Sequence, residues 1–126
     1  MDIKPVVTSE APLPVGPYSQ AVWCGSQLFI SGQIPLDPAS GSIAGDAIER
    51  QARQALDNLC AILGSQGLGV EKLVKTTVYL SDIGYYPVFN SIYESVLGSA
   101  KPARSVVAVA GLPKNVLVEI EAVACR

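Results

Sequence analysis

The chain has 126 residues, of which 49% are hydrophobic and 16% are charged, and its formal net charge is −2. This length suits one domain, residues 1–126, and the low charge content predicts that an apolar face is buried against a copy of the chain. The charges form no basic run, no apolar segment is long enough to span a membrane, and histidine is absent, which argues against nucleic-acid binding, membrane insertion and a zinc site.

The first twenty residues contain a turn, and the question is whether it positions Tyr18 for a function. The opening stretch, MDIKPVVTSE, lacks a secretion signal, so we expect a cytoplasmic protein, and a short strand is expected near residues 6–8. In VGPYSQ, Pro17 fixes its own φ and keeps Gly16 extended, so the turn would hold Tyr18 in a fixed direction. For these six residues alone, a turn that merely begins a strand is the simpler explanation.

A β-hairpin and a loop follow. Two short apolar runs, Ala21–Cys24 and Leu28–Gln33, predict strands joined by a turn at Gly25 and Ser26. The next stretch, PLDPASGSIAGD, is rich in turn-forming residues and predicts a loop.

A helix is predicted after this loop. Asp46 is a candidate N-cap, Glu49 follows at the capping-box spacing, and a glycine at 64 or 67 would end the helix. One face is apolar at helical spacing and should pack on the core: Ile48, Ala52, Ala55, Leu56, Leu59, Ile62 and Leu63.

The second half of the chain predicts three strands and one helix. With the first half it gives the order β-β-α-β-α-β-β, which predicts an α+β fold: a mixed sheet with both helices on one face. The predicted elements are a strand at Lys72–Asp82, a helix from Tyr86 or Pro87 to Leu97, stopped by Gly98, and strands at Ser105–Ala110 and Val116–Cys125.

The last strand alternates in character. Its even-numbered residues, from Val116 to Ala124, are apolar and would face the helices. The opposite face carries Glu119 and Glu121 between apolar residues, which suits a subunit interface that contains a polar site.

Arg104 and Glu119 are the candidate reactive pair. If the last two strands form a hairpin centred near Pro113, Val107 lies opposite Glu119 and Arg104 lies roughly 10 Å further along. Both side chains could then reach one small molecule. On spacing alone, a rim charge at Arg104 and a solvated Glu119 are the simpler explanation. Asn90 and Ser31-Gly32 are likewise ordinary residues of a helix and a strand end when considered alone.

The three cysteines, Cys24, Cys60 and Cys125, do not suggest a disulfide framework, because their number is odd and their spacing wide. Each stands in an apolar context, where a thiol acts as a small core residue. The lack of histidine also excludes Ser-His and Cys-His nucleophile pairs.

Several motifs in order carry a family resemblance. They are APLPVGPYSQAV, LFISGQIPLDPASG, Asn58-Leu59, VKTTVYLSD, NSIY at 90–93, PARSVV at 102–107 and LPKNVLVEIEAVA. From about Ala11 to Ala124 the chain resembles the Rid family of reactive-intermediate (enamine/imine) deaminases, also called the YjgF family. Arg104 within PARS points to the RidA-type members.

The resemblance implies a chorismate-mutase-like α+β fold and a homotrimer with sites between subunits. It implies cofactor-free and metal-free hydrolysis of 2-aminoacrylate, 2-iminobutyrate and related 2-imino acids to 2-keto acids and ammonia, which protects other enzymes from damage. A non-catalytic metabolite-binding or chaperone-like trimer is the main alternative. Ribonuclease activity fits poorly with the missing histidine and basic groove, and chorismate mutase would need more than one arginine for its dianionic substrate.

The resemblance also assigns roles to residues. Arg104 would grip the substrate carboxylate through two hydrogen bonds, and Glu119 would orient or deprotonate the attacking water. The substrate would be lined by Tyr18, Ser31, Gly32, Asn90 and the backbone near Val106.

The chain departs from the family pattern close to Arg104. Val106 stands where many members carry a cysteine, Lys101 stands where an aromatic residue often precedes PARS, and the segment 90–104 is short. These departures affect the shape of the pocket, so the sequence does not decide which imino acid is preferred.

Overall fold

A computed structural model describes residues 2–126 of the chain. Its regular elements are six strands and two α-helices, with 3₁₀ turns at Val70–Lys72, Ile83–Tyr85 and Pro113–Asn115. In chain order they are β1 Ile3–Val6, β2 Ala21–Cys24, β3 Gln27–Gln33, α1 Ile48–Ser65, β4 Leu73–Leu80, α2 Tyr86–Leu97, β5 Ala103–Ala108 and β6 Val118–Cys125.

The six strands form one mixed sheet in the order β1-β2-β3-β6-β4-β5. Neighbouring strands are antiparallel except β4 and β5, which run parallel because α2 connects them as a crossover. The two helices pack on each other and on one face of the sheet. The predicted α+β class and its chorismate-mutase-like arrangement are confirmed. We call the face without helices the open face.

The helices agree closely with the sequence prediction. The apolar face predicted for α1 is buried, and α2 has the predicted bounds, with Gly98 as its C-cap at φ 60°. Gly67 follows α1 at φ +73° and completes a Schellman motif, because Leu68 N–H donates to Leu63 C=O at 2.9 Å. The prediction for Asp46 is wrong: the N-cap is Ala47, so no capping box forms.

Several strand boundaries differ from the prediction, and β4 covers Leu73–Leu80 instead of Lys72–Asp82. β1 lies at Ile3–Val6 instead of residues 6–8, because it pairs with β2 in that register. β6 begins at Val118, and β5 begins at Ala103, where its ladder with β4 starts. Arg104 therefore lies inside a strand and not at its entrance.

The predicted hairpin between the last two strands is wrong. β5 and β6 each pair with β4, one on either side. Val107 and Glu119 do share a row, but Tyr79 of β4 lies between them. The helical crossover places β5 at the free edge of the sheet, so the two strands cannot meet.

The core lies between the helices and the sheet. The even-numbered residues of β6 face it as predicted, and Val118, Ile120 and Ala124 have no exposed surface. The odd-numbered residues of β6 are half-buried on the open face. The cysteines are only half-buried, so their predicted place in the core is wrong. Across residues 2–126, no helix is both long and apolar enough to cross a bilayer.

Candidate active site

The open face carries a cavity of about 570 Å³ next to β3 and β6. Its size is typical of small-ligand sites. Four of the predicted site residues line it, namely Tyr18, Ser31, Gly32 and Glu119. Pro113 and Lys114 close one side, and the N-terminal segment around Pro12 and Leu13 closes the other.

Ser31 and Gly32 lie where β3 loses its regular pairing with β6, between Ile30 and Gln33. The hydroxyl of Ser31 donates to the carbonyl of Ser19 at 2.6 Å, and its N–H donates to the carbonyl of Gln20 at 3.0 Å. Ser31 thus ties the turn that carries Tyr18 to the sheet.

Gly32 leaves room for the carboxylate of Glu119. A Cβ at position 32 would lie 1.9 Å from Oε2 and 2.8 Å from Cδ of Glu119. No side chain fits at position 32 while the Glu119 carboxylate keeps this position, in which it rests directly against the backbone of β3. The sequence predicted that both residues belong to the site, but not that one makes space for the other.

Glu119 is a stronger base than an exposed carboxylate. Burial on the open face raises the pKa of Glu119, and the nearby charge of Glu121 raises this pKa further. Glu121 accepts a short hydrogen bond from the hydroxyl of Tyr79. A half-buried carboxylate of this kind can take a proton from a bound water.

Tyr18 leads out of the predicted turn. Its N–H donates to the carbonyl of Gly16 at 2.9 Å, and its hydroxyl accepts a hydrogen bond from the N–H of Val15 at 3.5 Å. Half of its side chain is exposed, at 51%. The phenol therefore sits at the cavity mouth, held by its own turn.

Gln20 supports the cavity wall, a role that the sequence analysis missed. It is 1% exposed, and its amide nitrogen donates to the carbonyls of Thr8, Ala11 and Pro12 at 2.9, 3.2 and 2.9 Å. Its amide oxygen accepts from Thr8 N–H at 2.8 Å. The available signal was an amide at the entrance to a buried strand, where it needs several partners.

Arg104 lies with residues of α2. Its Nη1 donates to Oδ1 of Asn90 at 2.8 Å, and its Nη2 donates to the hydroxyl of Tyr86 at 2.9 Å. The guanidinium carbon is 4.8 Å from the ring centre of Tyr93 and 5.7 Å from that of Tyr86. These partners are neutral, so they fix the guanidinium without neutralising its charge.

Arg104 and Glu119 belong to opposite faces of the sheet. Arg104 pairs with Thr76, which is buried on the helix side and hydrogen-bonded to the hydroxyl of Tyr93 at 2.8 Å. Glu119 pairs with Tyr79, three residues further along β4, where side chains point the other way. The expectation that both side chains of one chain reach the same molecule is therefore wrong.

The remaining predicted residues have clear positions. Asn90 lies beside Arg104 and holds its guanidinium. The side chain of Val106 is half-buried and packs against the core, so only its backbone, in the edge strand β5, could contact a ligand. Lys101 lines a shallower cavity of about 370 Å³ together with Asn90 and Arg104.

Lys114 is a cavity residue that the sequence analysis did not select. It and Asn115 both have φ 56°, which is uncommon outside glycine. Strained backbone of this kind is often found at functional sites. The turn-forming sequence LPKN signalled the turn, but not the direction of the lysine.

Comparisons with known proteins identify the family of the chain. The model of the endoribonuclease L-PSP family matches residues 8–126. A RutC family protein from Pyrococcus horikoshii is 48% identical over 121 residues and covers 96% of each chain. A 2-iminobutanoate/2-iminopropanoate deaminase from Salmonella typhimurium is 46% identical over 126 residues and covers 98% of each chain.

A solved structure shows the same fold. The crystal structure of Escherichia coli TdcF with bound serine has a TM-score of 0.93 and 41% identity, and covers 98% of each chain. The chain therefore belongs to the endoribonuclease L-PSP family, which is the Rid (YjgF) family that its motifs indicated.

Proposed function

We propose that the protein hydrolyses 2-enamino and 2-imino acids, such as 2-aminoacrylate and 2-iminobutyrate, to 2-keto acids and ammonia. The observation that carries this proposal is an arginine held by neutral groups, with its positive charge available to a small carboxylate. The deaminase from Salmonella typhimurium, 46% identical, supports the same reaction. The proposal requires no metal or cofactor.

Arg104 receives the substrate carboxylate through two N–H groups, which sets the position of the adjacent imine carbon. A water molecule beside Glu119 gives a proton to the carboxylate while its oxygen bonds to that carbon, and the C=N double bond becomes a single bond. Glu119 then returns the proton to the nitrogen. The hydroxyl now on that carbon gives its proton to the nitrogen through Glu119, the C–N bond breaks as the carbonyl forms, and ammonia and the keto acid leave.

We further propose that each site forms between two chains of a homotrimer. The side chains of Arg104 and Glu119 extend from opposite faces of one sheet. A site that contains both groups therefore needs a second copy of the chain. Arg104 lies in β5, an edge strand, and can reach a neighbouring chain. Apolar side chains on the open face, including Phe29 at 46% and Val107 at 43% exposure, are available for such a contact.

A non-catalytic metabolite-binding role is the second candidate. The relative TdcF is described with bound serine, a small molecule with a carboxylate. Such a ligand would use Arg104 in the same way, without water attack. The ribonuclease activity in the family's description has little support in this chain, which contains no histidine and has a net charge of −2.

The test is turnover of 2-aminoacrylate that a dehydratase generates in the assay, followed as keto acid and ammonia above the spontaneous rate. Wild type should accelerate the reaction, and Arg104→Ala should lower kcat/KM by roughly a hundredfold, because it removes charge-assisted hydrogen bonds. Arg50→Ala, at an exposed position of α1, is the matched control and should behave as wild type.

Two results would contradict the proposal. Equal rates for wild type and Arg104→Ala would show that Arg104 does not bind the substrate carboxylate. Wild-type binding of 2-oxobutanoate without any acceleration of hydrolysis would favour the metabolite-binding candidate instead.

A further inference from the structure

We propose that Tyr86 is a positioning residue for Arg104: its hydroxyl holds the guanidinium in the orientation that receives the substrate carboxylate. This inference rests on the proposed function, because it concerns the same arginine. It adds a residue that neither the sequence motifs nor the cavity lining selected. Its basis is the hydrogen bond of 2.9 Å from Nη2 of Arg104 to the Tyr86 hydroxyl.

Tyr86 is well suited to hold another group in place, because its own position is fixed. It is the first residue of α2, and Pro87 follows it in the first helical turn. The preceding 3₁₀ turn is capped by Asp82, whose carboxylate accepts from Gly84 N–H at 2.8 Å. The ring of Tyr86 is half-buried against the core. The hydroxyl therefore projects from a rigid helix start.

The two acceptors on Arg104 restrict it in complementary ways. Asn90 binds one terminal nitrogen and Tyr86 binds the other, so rotation of the guanidinium within its plane would break both hydrogen bonds. The Tyr93 ring, 4.8 Å from the guanidinium carbon, limits motion out of the plane. A guanidinium has five N–H donors, so three remain for a ligand.

Fixing the arginine in advance strengthens binding. An arginine side chain loses much of its rotamer freedom when a ligand immobilises it. If Tyr86 and Asn90 have already ordered the side chain, the ligand does not bear that cost. A neutral phenol suits this purpose, whereas a carboxylate in its place would compete with the substrate for the charge.

The test is Tyr86→Phe, which removes the hydroxyl and keeps the ring beside Arg104. Calorimetric titration with 2-oxobutanoate should show affinity about three- to tenfold weaker than wild type, and KM for the imino acid should rise by a similar factor with kcat within twofold. Binding of the uncharged 2-oxobutanamide and the melting temperature should not change. Tyr85→Phe, one residue earlier, is the control and should match wild type in all four measurements.

The outcomes separate this inference from the proposed function. Arg104→Lys in the same titration tests whether Arg104 itself binds the carboxylate. This variant should also bind the acid more weakly. If Arg104→Lys weakens acid binding but Tyr86→Phe does not, only the positioning role is wrong. A Tyr86→Phe variant that loses acid and amide binding equally would show general damage and also overturn the inference. If Arg104→Lys and wild type bind the acid equally, or wild type does not bind it, the positioning role and the proposed function are both wrong.

Discussion

Gly32 shows how a single missing side chain can place a catalytic group. A Cβ at this position would overlap Oε2 of Glu119 at 1.9 Å. The clashing atoms belong to the end of a flexible side chain, so in Gly32→Ala we expect Glu119 to rotate away while the sheet stays intact. Activity should fall by roughly a hundredfold, as when a reacting group is misplaced by about 1 Å, with little change in the urea midpoint.

Gly64→Ala is the matched control for this prediction. A Cβ at Gly64 meets no atom within 4 Å, and the residue lies in α1, away from the cavity. The control should keep full activity and gain about 0.5–1 kcal/mol in stability, since alanine is a better helix former. An active Gly32→Ala variant would show that the carboxylate does not need its place against β3.

The pair Glu119 and Glu121 allows a prediction about pH. The titratable groups that line the same cavities as Glu119 are Glu121, Tyr79, Tyr18 and Lys114. The negative charge of Glu121 helps to raise the pKa of Glu119, and Glu121→Gln removes that charge while its amide oxygen can still accept from Tyr79. The pKa of Glu119 should therefore fall toward its ordinary value.

The sign of the kinetic effect follows from the role of Glu119 as a base. Activity is lost as pH falls through the pKa of the base, so the acidic limb of the kcat/KM profile should move to lower pH in Glu121→Gln. The measurement is this profile for both proteins, normalised to each maximum. An acidic limb that stays in place, or moves to higher pH, would show that Glu119 is not the base.

At the scale of elements, local signals were sufficient for the helices. The periodicity of α1 predicted its buried face, and Gly67 and Gly98 marked the helix ends, because these features depend on residues close in sequence. The N-cap prediction missed by one residue: the N-cap is Ala47, whose side chain has no oxygen with which to cap the helix.

Strand pairing depends on distant parts of the chain, and here the sequence analysis failed. It joined β5 and β6 because a short connection favours a hairpin. However, α2 lies between β4 and β5, and a helix between two strands commonly indicates a parallel crossover. That signal was present in the sequence, and it would have paired β5 with β4.

The sequence predicted those residues of the candidate site that belong to the family motifs. Tyr18, Ser31, Gly32 and Glu119 do line one cavity, and Asn90 does lie beside Arg104. The supporting role of Gln20 was signalled only by its place before a buried strand, and that of Tyr86 could not be predicted, because the fold alone brings it to Arg104. The division of Arg104 and Glu119 between two faces follows from the register, because Arg104 lies three residues from the row of Glu119 and side chains alternate along a strand.

At the scale of the whole molecule, the composition and the site point to the same requirement. Few charges are available to cover the surface, and Ile3 on the open face is 69% exposed. Each chain holds the two halves of the proposed site on opposite faces of its sheet. An assembly that buries the open face would satisfy both conditions.

Mixing two variants, each of which lacks one of the two groups, tests this requirement directly. Arg104→Ala keeps Glu119, and Glu119→Gln keeps Arg104, so a site between one chain of each kind can contain both intact groups. In a ring assembled at random from equal amounts, about one quarter of the sites have the correct arrangement. Co-refolding the two proteins should therefore restore about one quarter of wild-type activity, whereas each variant refolded alone should keep only its own low residual activity.

The control is the double variant, Arg104→Ala with Glu119→Gln, co-refolded with each single variant. None of these mixtures can build an intact site, so they should show no recovery. If both residues acted from one chain, co-refolding the two single variants would also give no recovery, since no chain in the mixture contains both groups. Recovery in that mixture alone would show that the sheet keeps the two groups apart and that a neighbouring chain brings them together.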